Sequence, residues 1–376
     1  MRGEDEQRLA PFYIRSRVAT LPDFLEKRYS RASRDWLTGL SIVSAIFIHI
    51  GFSLYTGAVV LRGLFGIDIN TSILVTALLT GLYTIVGGLL AVVITESVQT
   101  VILILGAKDE RNARLGPLFT GFIKILPVFL FVLPGLIAYG LVRQGALPAP
   151  ESSADVYSLL VNNLLPAGLK GIVAAALLAA LMSTVSGALN SIATLFTLDI
   201  YKRWRPRASE RRLTLVGRVV TFLAMAVAIL WSPMIGHFQS LFQGITAVIC
   251  YSAPPITAVF LWGVLWRKAS AAAARITLMA GSALGLAVFL LDWFKATTGW
   301  NVPSMMATFY LFLVCSAVLI AVSLVKPHVH TEESTKLVWA RPADALRGPW
   351  GPGLLDYRLV SAVLFLVMVG LYVLFG

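Results

Sequence analysis

Ala180, Ser183 and Thr184 stand at i, i+3 and i+4 within GLKGIVAAALLAALMSTVSGALNSIATLFTLDIYKRWR, the stretch from Gly168 to Arg205. On a helix they share one face, where a carbonyl loosened by local irregularity and two hydroxyls point at one place. Neutral oxygens converging in a dry setting suit a hard monovalent cation such as sodium, which has no preference for sulfur or imidazole ligands. A plainer reading is open beside it: Ser and Thr in membrane helices commonly bond back to the carbonyl four residues earlier or to a neighbouring helix. The same stretch carries Ser186, Asn190, Ser191, Thr194 and Thr197 and ends on Asp199 and a cationic run. A span needs only ~20 apolar residues, so hydroxyls in this number are not required for insertion. The helix faces protein or ions as well as lipid.

The elements that position this helix follow from composition. Hydrophobic residues make up 57% of the chain and charged residues 13%, which excludes a water-soluble globular domain and implies a polytopic, all-α membrane protein. Cys250 and Cys315 lie in apolar stretches without a ligand spacing and read as small core hydrophobes. The net charge of +12 raises the question of nucleic acid, but the basic residues fall between spans and act as topology signals.

The first 35 residues are polar, with no apolar core behind a basic start, so no cleavable leader is expected. Within them Pro22 opens a short amphipathic helix, with Phe24, Leu25 and Tyr29 on one side, expected to lie along the cytoplasmic membrane surface. A first span over Trp36 to Leu61 contains His49, which without a carboxylate near it in sequence is expected to be a hydrogen-bonded structural group. Thr71 to Ala107, broken by Gly87-Gly88, is longer than one bilayer core and reads as two spans with a tight turn. Glu96 then sits in the second, protonated, near the interface or beside a cation. Further spans are expected near Leu115 to Val142, Leu213 to Trp231, Phe238 to Trp266 with an interruption at Pro254-Pro255, Ala271 to Phe294, Pro303 to Val325 and Leu354 to Phe375. With the organising helix this gives nine or ten spans. Lys202 to Arg212, Arg267-Lys268 and Lys326 agree on one cytoplasmic side, but the basic cluster Lys108 to Arg114 falls outside if three spans precede it. Either a span is missing or Thr71 to Ala107 crosses once.

The segments LMSTVSGALNSIATLFTLDIYKR, VATLPDFLEKRYS, VGGLLAVVITESVQTVILILGA and KDERNARLG resemble the sodium:solute symporter family. The resemblance implies an inverted-repeat fold of two five-helix repeats, set in the cell membrane, with broken helices and a midplane site worked by alternating access. It implies a sodium site from the Ala180 carbonyl and the Ser183 and Thr184 hydroxyls. Glu96, usually Asp in relatives, and Ser186 resemble a second cation site, although Gly187 stands where a further hydroxyl is common. SLFQGITAVICYSAPPITAVF resembles the helix that holds a solute-binding Gln in sugar carriers, and Thr246 matches that Gln. Sodium as coupling ion, a small polar solute such as a sugar or polyol, and no other cofactor are what the resemblance implies.

Two departures from the family pattern are expected to matter. The spans that precede PFYIRSRVATLPDFLEKRYS in relatives are absent, as are roughly a hundred residues where Ala107 meets Lys108, so both broken helices are missing. The chain then divides into a cytoplasmic segment (1–35), a first-repeat remnant (36–107), a second-repeat region (108–325), a cytoplasmic loop (326–353) and a last span (354–376). A dehydrated monovalent cation takes about five or six oxygens, and one helix supplies about three, so transport by this chain is expected to be impaired. An enzyme is not expected, because no metal-spaced pair or nucleophile motif is present; a non-transporting remnant or a membrane sensor domain of the family is the alternative.

Overall fold

The computed structural model describes residues 21–95, 125–150, 155–238, 240–327 and 356–375, with short pieces at 122, 331–335 and 337–338. Regular structure among the described residues is entirely helical. A surface helix α1 (Leu21–Arg28) precedes α2 (Arg31–Phe65) and α3 (Ile69–Thr95). Then come α4 (Leu126–Arg143), the short α5 (Val156–Leu164) and the organising helix α6 (Ala167–Trp204). The remainder is α7 (Glu210–Trp231), α8 (Leu241–Leu265), α9 (Ala271–Trp293), α10 (Ser304–Val325) and α11 (Tyr357–Phe375). Among the described residues seven helices are long and apolar enough to cross a membrane, and α4 and α11 contain two shorter apolar stretches.

The turn expected at Gly87-Gly88 does not form: through residue 95, the last described residue of Thr71 to Ala107, the stretch is one helix that continues past both glycines. Inside lipid a turn would strand backbone amides and carbonyls, whereas glycine in a helix costs only about 1 kcal/mol. The buried face of α3 is built from small residues four apart, Ser72, Thr76, Thr80 and Thr84, while Leu74, Leu78, Leu82 and Val86 are exposed on its lipid side. Small side chains let α3 nest closely against α6 and α7, where Ile73 and Ala77 join Leu54 of α2, Leu189 and Ile192 of α6 and Ala228 of α7 in one core.

The interruption expected at Pro254-Pro255 is likewise absent, since both prolines lie inside the continuous α8. Each proline lacks an N–H and so frees the carbonyl four residues before it, at Cys250 and Tyr251. The neighbouring helices supply the remedy. The Thr308 hydroxyl of α10, 2.8 Å from the Ser304 carbonyl, also lies 3.2 Å from the Cys250 carbonyl. Beside the Tyr251 carbonyl stands Gly285 of α9, where a Cβ would lie 2.1 Å from that oxygen. At Gly281, one turn away, a Cβ would lie 2.7 Å from Pro255 and 2.8 Å from Cys315.

Nor does α1 lie on the membrane surface. Phe24, Leu25 and Tyr29 are buried against Val259 of α8 and Leu278 of α9, and Arg28 is only 1% exposed. Arg28 donates to the Gly263 and Trp266 carbonyls at 2.8 and 3.1 Å, capping the C-terminal end of α8 with a positive charge. Next to it Arg34 pairs with both Glu26 and Asp199, and Arg203 bonds Glu26 at 3.0 Å and Asp35 at 3.1 Å. This lattice ties the C-terminal end of α6 to α1 and α2. Burial alone would push Glu26 up, but hydrogen bonds from Arg34 and Arg203 outweigh it and hold the carboxyl below its ordinary value of 4.5.

Two outcomes follow for thermal unfolding of the purified protein. Gly285→Ala should destabilise by about 1–3 kcal/mol because the facing atom is backbone and cannot rotate away, while Gly140→Ala, which meets nothing within 4 Å, should change little. The Glu26 contribution is present above the unfolded carboxylate value of 4.5 and is lost as pH falls through the depressed folded value. Glu26→Gln should therefore lower stability on the order of 1 kcal/mol at pH 7 and less with each step into acid; an equal loss at pH 7 and pH 3 would contradict the assignment.

Candidate functional site

The organising helix presents two polar faces. Ser183, Thr184, Gly187 and Ser191 of α6, with Ala180, line a cavity of about 620 Å³ that opens between α6 and α2. The opposite wall consists of Ser41, Ser44 and His49. Thr184 Oγ1 donates to the Ala180 carbonyl at 3.0 Å, the back-bond that the plainer reading of this pair describes. Such a bond uses the hydroxyl proton and leaves oxygen lone pairs for a cation, so it is compatible with both readings.

Ser186 points the other way. It is fully buried, with its oxygen 3.2 Å from Thr84 Oγ1 of α3, and Thr84 in turn donates to the Thr80 carbonyl at 2.7 Å. One turn along, Tyr83 donates to the Met182 carbonyl at 3.1 Å. The α3–α6 seam is thus a hydroxyl contact in its own right. Glu96, expected to join Ser186, lies outside the described residues, as does the Ala107–Lys108 junction. Thr246 is half-buried on α8 and does not line the cavity between α2 and α6.

The second wall was not foreseen. In sequence, Ser41, Ser44 and His49 are polar breaks in an apolar span, and that was the available signal; what brings them together is a turn no pattern announces. Over Ala45–Ile50 the helix widens into a π-helical turn, with the Gly51 N–H reaching back to Ile46. His49, expected as a hydrogen-bonded structural group, is exposed on the cavity wall between buried Ile48 and Ile50.

Helices long and apolar enough to cross a membrane, lining a cavity of hydroxyls, are what a helical membrane transporter requires. Comparison with known proteins makes this specific. Residues 7–108 and 113–281 match the sodium:solute symporter family, and the chain belongs to it. The sodium/mannose cotransporter SLC5A10 of Bos taurus is 28% identical over 439 positions, covering 88% of this chain and 74% of that one. The sodium/glucose cotransporter 4 of Danio rerio is also 28% identical, covering 88% and 67%, and the sodium/myo-inositol cotransporter 2 of Mus musculus 28%, covering 78% and 58%. A solved Na⁺-coupled sialic acid symporter, in its substrate-bound outward-open state, shares the fold with a TM-score of 0.59 over 86% of this chain and 81% of that one, at 20% identity. The chain is therefore a multi-pass membrane protein of a family of sodium-coupled transporters, not an enzyme.

Proposed function

We propose that this chain is a sodium-coupled symporter of a small polar organic solute, a sugar or polyol, working by alternating access. The observation that carries the proposal is the single cavity in which the Ala180, Ser183 and Thr184 face of α6 meets the hydroxyls of α2. In this reading the Ala180 carbonyl and the Ser183 and Thr184 hydroxyls bind sodium, and Ser41 and Ser44 supply oxygens that α6 alone lacks. Glu96 and Ser186 form a second cation position on the α3 side, and Thr246 contacts solute from α8. The sugar and inositol cotransporters among the relatives support a polyhydroxy solute.

Reduced activity is part of the proposal. The family match falls into two stretches that meet between residues 108 and 113. Alignment with the bovine relative runs over 439 positions, whereas 88% of the 376 residues is about 331, so about 108 positions of the alignment face a gap. A non-transporting remnant is the competing reading that this gap favours.

Uptake of glucose, mannose, myo-inositol, lactate and proline into proteoliposomes holding this chain, with sodium or choline outside, decides between the two. Saturable uptake that collapses in choline supports the carrier, and none by well-inserted protein supports the remnant. Where uptake occurs, Ser183→Ala or Thr184→Ala should raise the sodium concentration for half-maximal uptake about tenfold, as expected for one lost ligand or hydrogen bond of about 1.4 kcal/mol. Unchanged sodium dependence in both would sink the site.

A further inference from the structure

We propose that His49 is the solute-recognising group of the α2–α6 cavity and that Trp231 is the positioning residue that holds it there. The inference rests on reading that cavity as the transport site, and goes on to name what meets the solute.

The geometry begins with the π-helical turn. A turn widened by one residue shifts the following side chains by about 100° around the helix and leaves carbonyls without their usual partners. In α2 a carbonyl of the turn and one just after it accept hydrogen bonds from α7 and the turn that follows it. Trp231 Nε1 donates to the Phe47 carbonyl at 3.1 Å, and Ser232 Oγ donates to the Gly51 carbonyl at 3.1 Å. The indole reaches this place because residue 51 is glycine: a Cβ there would stand 2.6 Å from the Trp231 ring. Phe47 packs edge-on to the same indole at 5.1 Å, and Trp293 lies against it at 6.0 Å. The widened turn is therefore held by four side chains and a glycine. It is a built feature.

Its consequence is the placement of His49. Ile48 and Ile50 are 7% and 0% exposed, while His49 between them is exposed on the cavity wall across from Ser183 and Thr184. Neutral imidazole has one donor and one acceptor nitrogen, the complement of a hydroxyl, which also gives and takes one hydrogen bond. Among the described residues every other polar side chain lining the cavity is a serine or threonine. Sodium prefers oxygen to imidazole, so the groups divide the work: the hydroxyls and the Ala180 carbonyl for the ion, His49 for a polyhydroxy solute.

The test uses the full chain purified in detergent, with thermal stabilisation as readout. Sodium is titrated first against choline; then glucose, mannose and myo-inositol are titrated in saturating sodium. His49→Ala should leave the sodium midpoint unchanged and raise the solute midpoint about tenfold, the loss of a single hydrogen bond, while His49→Gln, which keeps a donor and an acceptor, should shift it about threefold or less. Trp231→Phe, which keeps the ring and loses the N–H, should raise the solute midpoint and spare the sodium midpoint. Ser183→Ala should do the reverse. An unchanged solute midpoint in His49→Ala, or sodium and solute midpoints that move together, overturns the proposal by marking His49 as idle or structural. Stabilisation by sodium but by none of the three solutes also overturns it. Absence of stabilisation by sodium in the unmodified chain instead defeats the transport-site reading itself, and the His49 assignment with it.

Discussion

Inside a bilayer a backbone amide or carbonyl that loses its helical partner has no water to replace it, so each irregularity in a spanning helix must be answered by a neighbouring helix. Two irregularities in this chain are answered in that way. The carbonyls freed by Pro254 and Pro255 meet the Thr308 hydroxyl and the bare backbone of Gly285. A carbonyl of the π-helical turn in α2 and one just after it meet Trp231 and Ser232. In both cases a glycine provides the close approach and a neighbouring element provides the hydrogen bond, apart from the Tyr251 carbonyl, which Gly285 approaches without an N–H or O–H to give. The first arrangement locks α8, α9 and α10 into one block; the second joins α7 to α2 and fixes one wall of the cavity.

The other wall is fixed by different forces at its two levels. At membrane depth, Ser186 and Leu189 of α6 lie buried against α3 and the α2–α7 core, so the helix cannot rotate without exposing hydroxyls or voiding packed apolar volume. At its C-terminal end, Asp199 and Arg203 hold α6 to Arg34, Asp35 and Glu26. An ionic lattice near water is weaker than core packing and is screened by salt.

Much of this was legible in the sequence, and the failures have a common cause. The spans, the polar helix and the shared face of Ala180, Ser183 and Thr184 follow from hydropathy and a 3.6-residue period, both properties of one segment at a time. Breaks were expected at Gly87-Gly88 and Pro254-Pro255 because glycine and proline interrupt helices in water; lipid raises the cost of interruption, and Thr308 lowers the cost of continuity. The amphipathic helix α1 was recognised, but whether its apolar side meets lipid or protein depends on Val259 and Leu278, more than 200 residues away. His49 shows the same limit. Its residue type was plain, yet its direction depends on a donor from Trp231 that no local pattern encodes.

Among the described residues the cavity lining contains no carboxylate, and this shapes how an ion can be held there. A carboxylate attracts a cation over several ångströms, but neutral dipoles act only at contact, so a site of hydroxyls and carbonyls works by number and closeness. On the proposed assignment α6 offers three such oxygens and α2 two more hydroxyls, on walls held by separate sets of contacts. An ion drawing on both walls binds only as far as they approach, and by linkage its binding free energy favours their approach. Sodium occupancy and closure of α2 on α6 are then one equilibrium. On that assignment, coupling of sodium to a solute requires that the π-helical turn and the ion-pair lattice keep the two walls within reach of a single ion.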